Sequence, residues 1–421
     1  MSSSERTSTR LARRLGVLDA VVIGLGSMIG AGVFAAIGPA AEAAGSGLLI
    51  GLAMAAIVAY CNATSSAQLA ALYPESGGTY VYGREQLGPF WGYLAGWGFV
   101  VGKTASCAAM ALTFGAYAVP DWRRPLAVGA VVALTAVNCW GVQKTAWLTR
   151  IIVTVVLGAL AAFTVGALAG GQATPDGLGP LTAGGWSGIL QSSGLLFFAF
   201  AGYARIATLG EEVIDPSRTI PRAIPIALGI TLAVYAAVAS AALLAVGPDD
   251  LAASAAPLDT AVRAGSLDWL SPAVRIGGTI AALGVLLSLI AGLSRTAFAM
   301  AANGDLPRWL DAVHPTYRVP HRAEVTAGAV VVALVLIADL RGAIGFSSFA
   351  VLTYYAIANA SAWRLPPERR RWPRPLAAIG VAGCALLALT LPPASVLSGL
   401  AVLGIGAGIW VIRTRASAAT R

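Results

Sequence analysis

The sequence predicts an all-α integral membrane protein of twelve transmembrane helices. Two five-helix repeats run in opposite directions through the bilayer, and helices 11 and 12 stand outside them. Three observations predict this class. Hydrophobic residues make up 57% of the 421 residues and charged residues only 11%, against about 25% charged in soluble chains. Such a chain cannot cover a surface in water. Apolar runs of about 18 residues or more, long enough to cross a hydrocarbon core, recur twelve times. Two of those runs, the first and the sixth, are broken near their centres.

The runs lie near 18–41, 47–69, 88–116, 125–142, 148–170, 187–209, 222–246, 274–302, 323–340, 342–363, 375–392 and 395–413. The expected organisation is a tail over 1–17, a first repeat over 18–170, a second over 187–363, helices 11–12 over 375–413 and a tail over 414–421. No soluble domain of any size fits between them. Orientation follows from the Lys and Arg residues of the loops. With the N-terminus inside, 21 of the 28 fall on the inner side, whereas Arg123, Arg124, Arg263, Arg275 and Arg341 fall outside. Both termini are therefore expected in the cytoplasm, in the plasma membrane of a prokaryote. The net charge of +9 becomes a topology signal and an attraction to anionic lipid, not a nucleic-acid footprint. Arg13-Arg14 before an apolar run could open a signal peptide, but the run exceeds an h-region of about 7–15 residues. Cys61, Cys107, Cys139 and Cys384 all sit in apolar runs without metal-ligand spacing, as small packing residues do.

The first run contains GLGSMIGAGVF, residues 24–34, in which four glycines occupy the middle of a helix they hold poorly. The sixth contains LLFFAFAGYARIATLGEE, residues 195–212, where Ala201-Gly202 interrupts the span. The two breaks are five helices apart. Five is odd, so the units that contain them enter the membrane from opposite sides, and paired interrupted helices mark the binding site of such a transporter. Unwinding leaves N–H and C=O groups that hydrocarbon cannot satisfy unless they meet a ligand or line a cavity. The half-helix starting near Ile29-Gly30-Ala31-Gly32 offers N–H groups and a positive dipole end to a carboxylate. The half-helix ending near Phe200-Ala201-Gly202 offers carbonyls to an ammonium. A site with both ends fits a zwitterion, and an α-amino acid is the common one. Taken alone, Gly26 and Gly30 would equally fit a GxxxG packing face.

The chain resembles the amino acid permeases of the APC superfamily. GSMIGAGVF resembles their first helix, YPESGGTYVYGREQLG (73–88) the loop into helix 3, and FFAFAGYARIATLGEEVIDPSRTIPRAI (197–224) helix 6 with its following loop. SRTAFAMAANGDLPRWL (294–310) is similar to the end of helix 8. The resemblance covers about residues 15–365 and implies the LeuT-like, or APC, fold with alternating-access transport of amino acids or related amines. It further implies that Ser27, Ile29, Gly30, Ala31 and Gly32 hold the substrate carboxylate. Phe198, Ala199, Ala201 and Gly202 would offer carbonyls to the amino group, while Phe200 and Tyr203 are gate or pocket aromatics. Some relatives carry a helix-5 lysine in place of a sodium ion; that position aligns with Val156, so the usual substitute is missing here.

Charged groups inside the spans are the coupling and gating candidates, because their burial is costly. No acidic residue falls at mid-depth of a span. Lys103 lies deep in the third, as a proton-linked or sodium-mimicking cation or as a structural donor to the broken helices. Arg205 follows the sixth break, as a cytoplasmic gate or a partner of Glu211. Ser288 could join carbonyls in a sodium site, although a membrane serine more often bonds its own backbone, so proton coupling or exchange is expected ahead of sodium. No cofactor or metal is expected. The two histidines, His314 and His321, flank PTYRVP without carboxylates at ligand spacing, and no catalytic motif appears. The reading is a transporter rather than an enzyme, with a substrate sensor or channel on the same scaffold as the alternative.

Overall fold

A computed structural model describes residues 15–73, 77–141, 146–207 and 213–419. Segment 1 folds as two helices, α1 (Val17–Met28) and α2 (Ala31–Ala44). Then come α3 (Leu48–Leu72), the short α4 (Thr79–Leu87), α5 (Pro89–Ala118), α6 (Arg123–Cys139) and α7 (Ala146–Ala169). Segment 6 is α8 (Gly185–Phe200), a 3₁₀ turn over Ala201–Tyr203 and α9 (Ala204–Ala207). The chain continues through α10 (Pro216–Ala253), α11 (Pro257–Arg263), α12 (Ser271–Ala302), α13 (His321–Ile337) and α14 (Leu340–Trp363). It ends in α15 (Arg374–Leu389) and α16 (Pro393–Ala419). The architecture is the predicted one: helical, with segments 1 and 6 interrupted.

Seven helical stretches among the described residues are long and apolar enough to cross a membrane, and Val17–Met28 and Arg374–Leu389 are shorter apolar helices. Ile337 (79% exposed), Ile412 (70%) and Leu397 (67%) project from the bundle. Large apolar side chains arrayed outward fit hydrocarbon, not water, as the solvent. Inside, small residues let backbones approach, as membrane packing requires. A methyl at Gly102 of α5, for example, would meet Ala350 Cβ of α14 at 2.8 Å. Helices α4 and α11 were not expected, because their mixed compositions give no apolar run. Helix α10 overruns its predicted ends, turning at Gly247 (φ 73°), a conformation open to glycine.

The two ends of the bundle carry different ion pairs. At one end Asp19 pairs with Arg150, Arg84 with Asp305 (2.6 Å), and Arg371 donates to the Ser217 carbonyl. Asp19 Oδ2 also accepts the Gly16 N–H (3.1 Å), closing the start of α1. Here the chain entering α1 meets the chain leaving segment 6, because Ile214 N–H donates to Leu15 O (2.9 Å) and Leu15 bridges Val213. Just above, α1 rests on α9: a Cβ on Gly24 would lie 2.3 Å from Ile206 Cδ1. At the other end Arg341 pairs with Glu42 and donates to Ala252 O, and Arg124 reaches the carbonyls of Leu336 and Ala338. Each of these pairs joins residues expected on the same side of the membrane.

Candidate functional site

The first break is a true opening of the helix. Ile29 (φ −78°, ψ 37°) and Gly30 (φ −87°, ψ −148°) leave helical geometry, and no side chain caps α2. The first N–H groups of α2 therefore depend on something outside their own helix. The last α1 carbonyls are in the same position, and one is met: the Tyr235 hydroxyl of α10 donates to Met28 O.

The second break is tighter than expected. Segment 6 does not unwind over Ala201-Gly202; it narrows into a 3₁₀ turn, which keeps the chain helical while freeing carbonyls. Two tyrosines occupy these: Tyr235 reaches Ala199 O (3.0 Å) and Tyr355 of α14 reaches Ala201 O (3.2 Å). Each carbonyl keeps a second lone pair. Tyr235 has one proton for two carbonyls, Met28 O and Ala199 O, so it satisfies one of them at a time.

The breaks touch through their main chains. A Cβ on Gly202 would lie 2.1 Å from Ser27 O and 2.7 Å from Met28 N, and one on Gly32 would lie 2.7 Å from Ala199 Cα. Only glycine allows either approach. A Cβ on Gly30 would instead strike a side chain, Val285 Cγ2 of α12, at 2.1 Å. The structure therefore brings Ser27, Gly32, Ala199 and Gly202 together, with Ile29, Phe200, Ala201 and Tyr203 buried around them and Phe198 half-buried. The backbone of Ala31 opens α2 beside them. Ser27 donates its hydroxyl to Ile23 O of its own helix (3.0 Å).

The coupling and gating candidates sit on α5, α9 and α12. Lys103 is buried on α5 with its ammonium 5.9 Å from the Phe99 ring. Among the described residues it donates no hydrogen bond to the broken helices. An aromatic chain leads from there to the second break: Phe99 to Tyr354 (5.4 Å), Tyr354 to Tyr355 (5.2 Å), Tyr355 to Tyr203 (5.0 Å). Ser288, one turn from Val285, is exposed and donates to Gly284 O (3.0 Å). Arg205 is exposed on α9, and its expected partner Glu211 lies outside the described residues. Val156 is buried on α7, one turn from the Val153 side chain that meets Gly26.

The touching breaks lie within a helical membrane bundle. The sequence pattern of the amino acid permease family matches residues 15–411. The chain belongs to the amino acid permease family. An uncharacterized transporter of Mycobacterium tuberculosis is 65% identical over 404 residues, 96% of this chain and 92% of the relative. The human cationic amino acid transporter 4 is 28% identical over 386 residues (84% and 60%), and the branched-chain amino acid permease of Bacillus subtilis is 26% identical over 338 (74% and 72%). This permease is thus a membrane-spanning transporter and not an enzyme.

Several buried polar residues at the breaks and elsewhere in the bundle gave no pattern in the sequence. Tyr235 and Tyr355 were the missed partners, and the available signal was a phenol inside an apolar span, which must find an acceptor. Asn62 of α3 and Asn359 of α14 form a buried amide pair (2.6 Å), with the Cys384 thiol of α15 3.3 Å from Asn62 Oδ1. Glu324 of α13 is also buried; Oε1 lies 3.5 Å from Ser294 Oγ, and Oε2 has no partner among the described residues. It sits in the first turn of its helix, where N–H groups favour a carboxylate.

Proposed function

We propose that the permease is a secondary active transporter that moves an α-amino acid or related amine by alternating access, proton-linked or by exchange. The observation that carries this reading is the meeting of an uncapped α2 N-terminus with the freed carbonyls of segments 1 and 6 at a glycine-only contact. The α2 N–H groups suit the carboxylate. The carbonyls of Ala199 and Ala201, with those of Phe198 and Gly202 beside them, suit the ammonium, and Phe200 and Tyr203 wall the side-chain pocket. Residues 18–170 and 187–363 form the inverted repeats, and the end bearing Arg84 and Arg150 faces the cytoplasm in a prokaryotic plasma membrane. Sodium coupling is the less favoured alternative.

Purified protein in liposomes, offered each of the twenty amino acids and simple amines at two pH values, tests this directly. Concentrative uptake or exchange of a subset is expected. A ligand that raises thermal stability without any flux would mean a sensor, and unsaturable flux a channel. Lys103 is proposed as the coupling cation, so Lys103→Met is expected to flatten the pH dependence of uptake; an unchanged profile removes it from the mechanism.

A further inference from the structure

A cavity of about 500 Å³ lies away from the helix breaks, at the end of the bundle where α5 begins and α12 and α16 end. Tyr93, Trp97, Asp305, Arg308, Ile409 and Arg413 line it. Two guanidinium groups thus face one space. Arg413 packs against the loop after α12, its Nη2 3.7 Å from where a Cβ on Gly304 would be. The Asp305 carboxylate does not cancel both cations, because its Oδ2 already accepts from Arg84 (2.6 Å) and from the Tyr80 hydroxyl (2.6 Å). Burial and that same carboxylate push the Tyr80 phenol up, so it stays a donor. Tyr93 is fully buried on the cavity wall, and its hydroxyl has no partner among the described residues.

The surroundings say what kind of anion fits. Helix α16 is the least buried of the long apolar helices, and beside the cavity it turns Ile405 (58% exposed), Ile409 (37%) and Ile412 (70%) outward. A ligand here meets two cations and an orphan donor at one end and a hydrocarbon-facing helix at the other. We infer that this cavity binds the phosphate headgroup of an anionic phospholipid, with Arg308, Arg413 and the Tyr93 hydroxyl on the phosphate and an acyl chain along α16. Guanidinium–phosphate contacts are charge-assisted and bidentate, among the stronger polar contacts available.

The test uses the full chain reconstituted in phosphatidylcholine alone or in a three-to-one mixture with phosphatidylglycerol, then released for native mass spectrometry. One phosphatidylglycerol is expected to be retained preferentially. Arg308→Gln and Arg413→Gln are each expected to weaken retention about fivefold, as one basic residue near anionic lipid does, and Tyr93→Phe a few-fold. Arg124→Gln, at the opposite end, leaves it unchanged. Equal retention of the two lipids by the wild-type chain, a comparison that needs no variant, overturns the assignment. So does undiminished retention by the Arg308→Gln/Arg413→Gln pair. Displacement of the lipid by inorganic phosphate at matched concentration would make the cavity a soluble-anion site, which also overturns it.

Discussion

The two helix breaks look alike in sequence and differ in construction. The first is opened by backbone: Ile29 and Gly30 leave the helix and α2 starts uncapped. The second is held by side chains, a 3₁₀ turn whose neighbouring carbonyls are met by Tyr235 and Tyr355. Glycine is needed for different reasons at Gly202 and at Gly30. Gly202 keeps main chain from striking main chain, whereas Gly30 spares only a valine methyl. A contact between two backbones cannot yield without moving a helix, and a side chain can rotate away. Similar glycines therefore differ in how replaceable they are.

Substitutions can break or sharpen that contrast. The largest effect is expected of Gly202→Ala, whose methyl would sit 2.1 Å from Ser27 O. Uptake should fall about a hundredfold, the upper end of the roughly 1–3 kcal/mol that overpacking costs. Next comes Tyr235→Phe, which strips the hydroxyl shared by Met28 O and Ala199 O. A loss of about 1–3 kcal/mol is expected in a thermal or denaturant midpoint, with Tyr355→Phe, which serves one carbonyl, losing less. The smallest is Gly30→Ala, about tenfold in uptake and largely restored by Val285→Ala in a double-mutant cycle. If Val285→Ala gave no rescue while Gly202→Ala left uptake intact, the assigned roles of backbone and side chain would be reversed.

The sequence carried the spans and the place of the first break well, because apolar runs and misplaced glycines are local signals. It marked the second break as well, but not how that break is held. Ala201-Gly202 reads as an unwinding point, yet the hydroxyls that hold it come from residues 36 and 154 positions away from the carbonyls they serve. Pairings of that kind have no spacing to detect. The Asn62–Asn359 pair and the burial of Glu324 were hidden for the same reason. Hydropathy also passed over α4 and α11, since TYVYGREQL and PLDTAVR mix polar and apolar residues. Lys103 was legible as a deep cation, but its place beside Phe99 depended on the rotation of α5 in the bundle.

One further consequence follows from the stitch between Leu15 and Ile214. The strand of chain that leads into α1 is fastened by a main-chain hydrogen bond to the strand that leads out of segment 6, and Gly24 seats α1 on Ile206 directly above. The start of α1 is therefore fastened both to residues 213–214 and to α9. Swinging α1 away from the bundle must either drag residues 213–214 along with it or snap that bond.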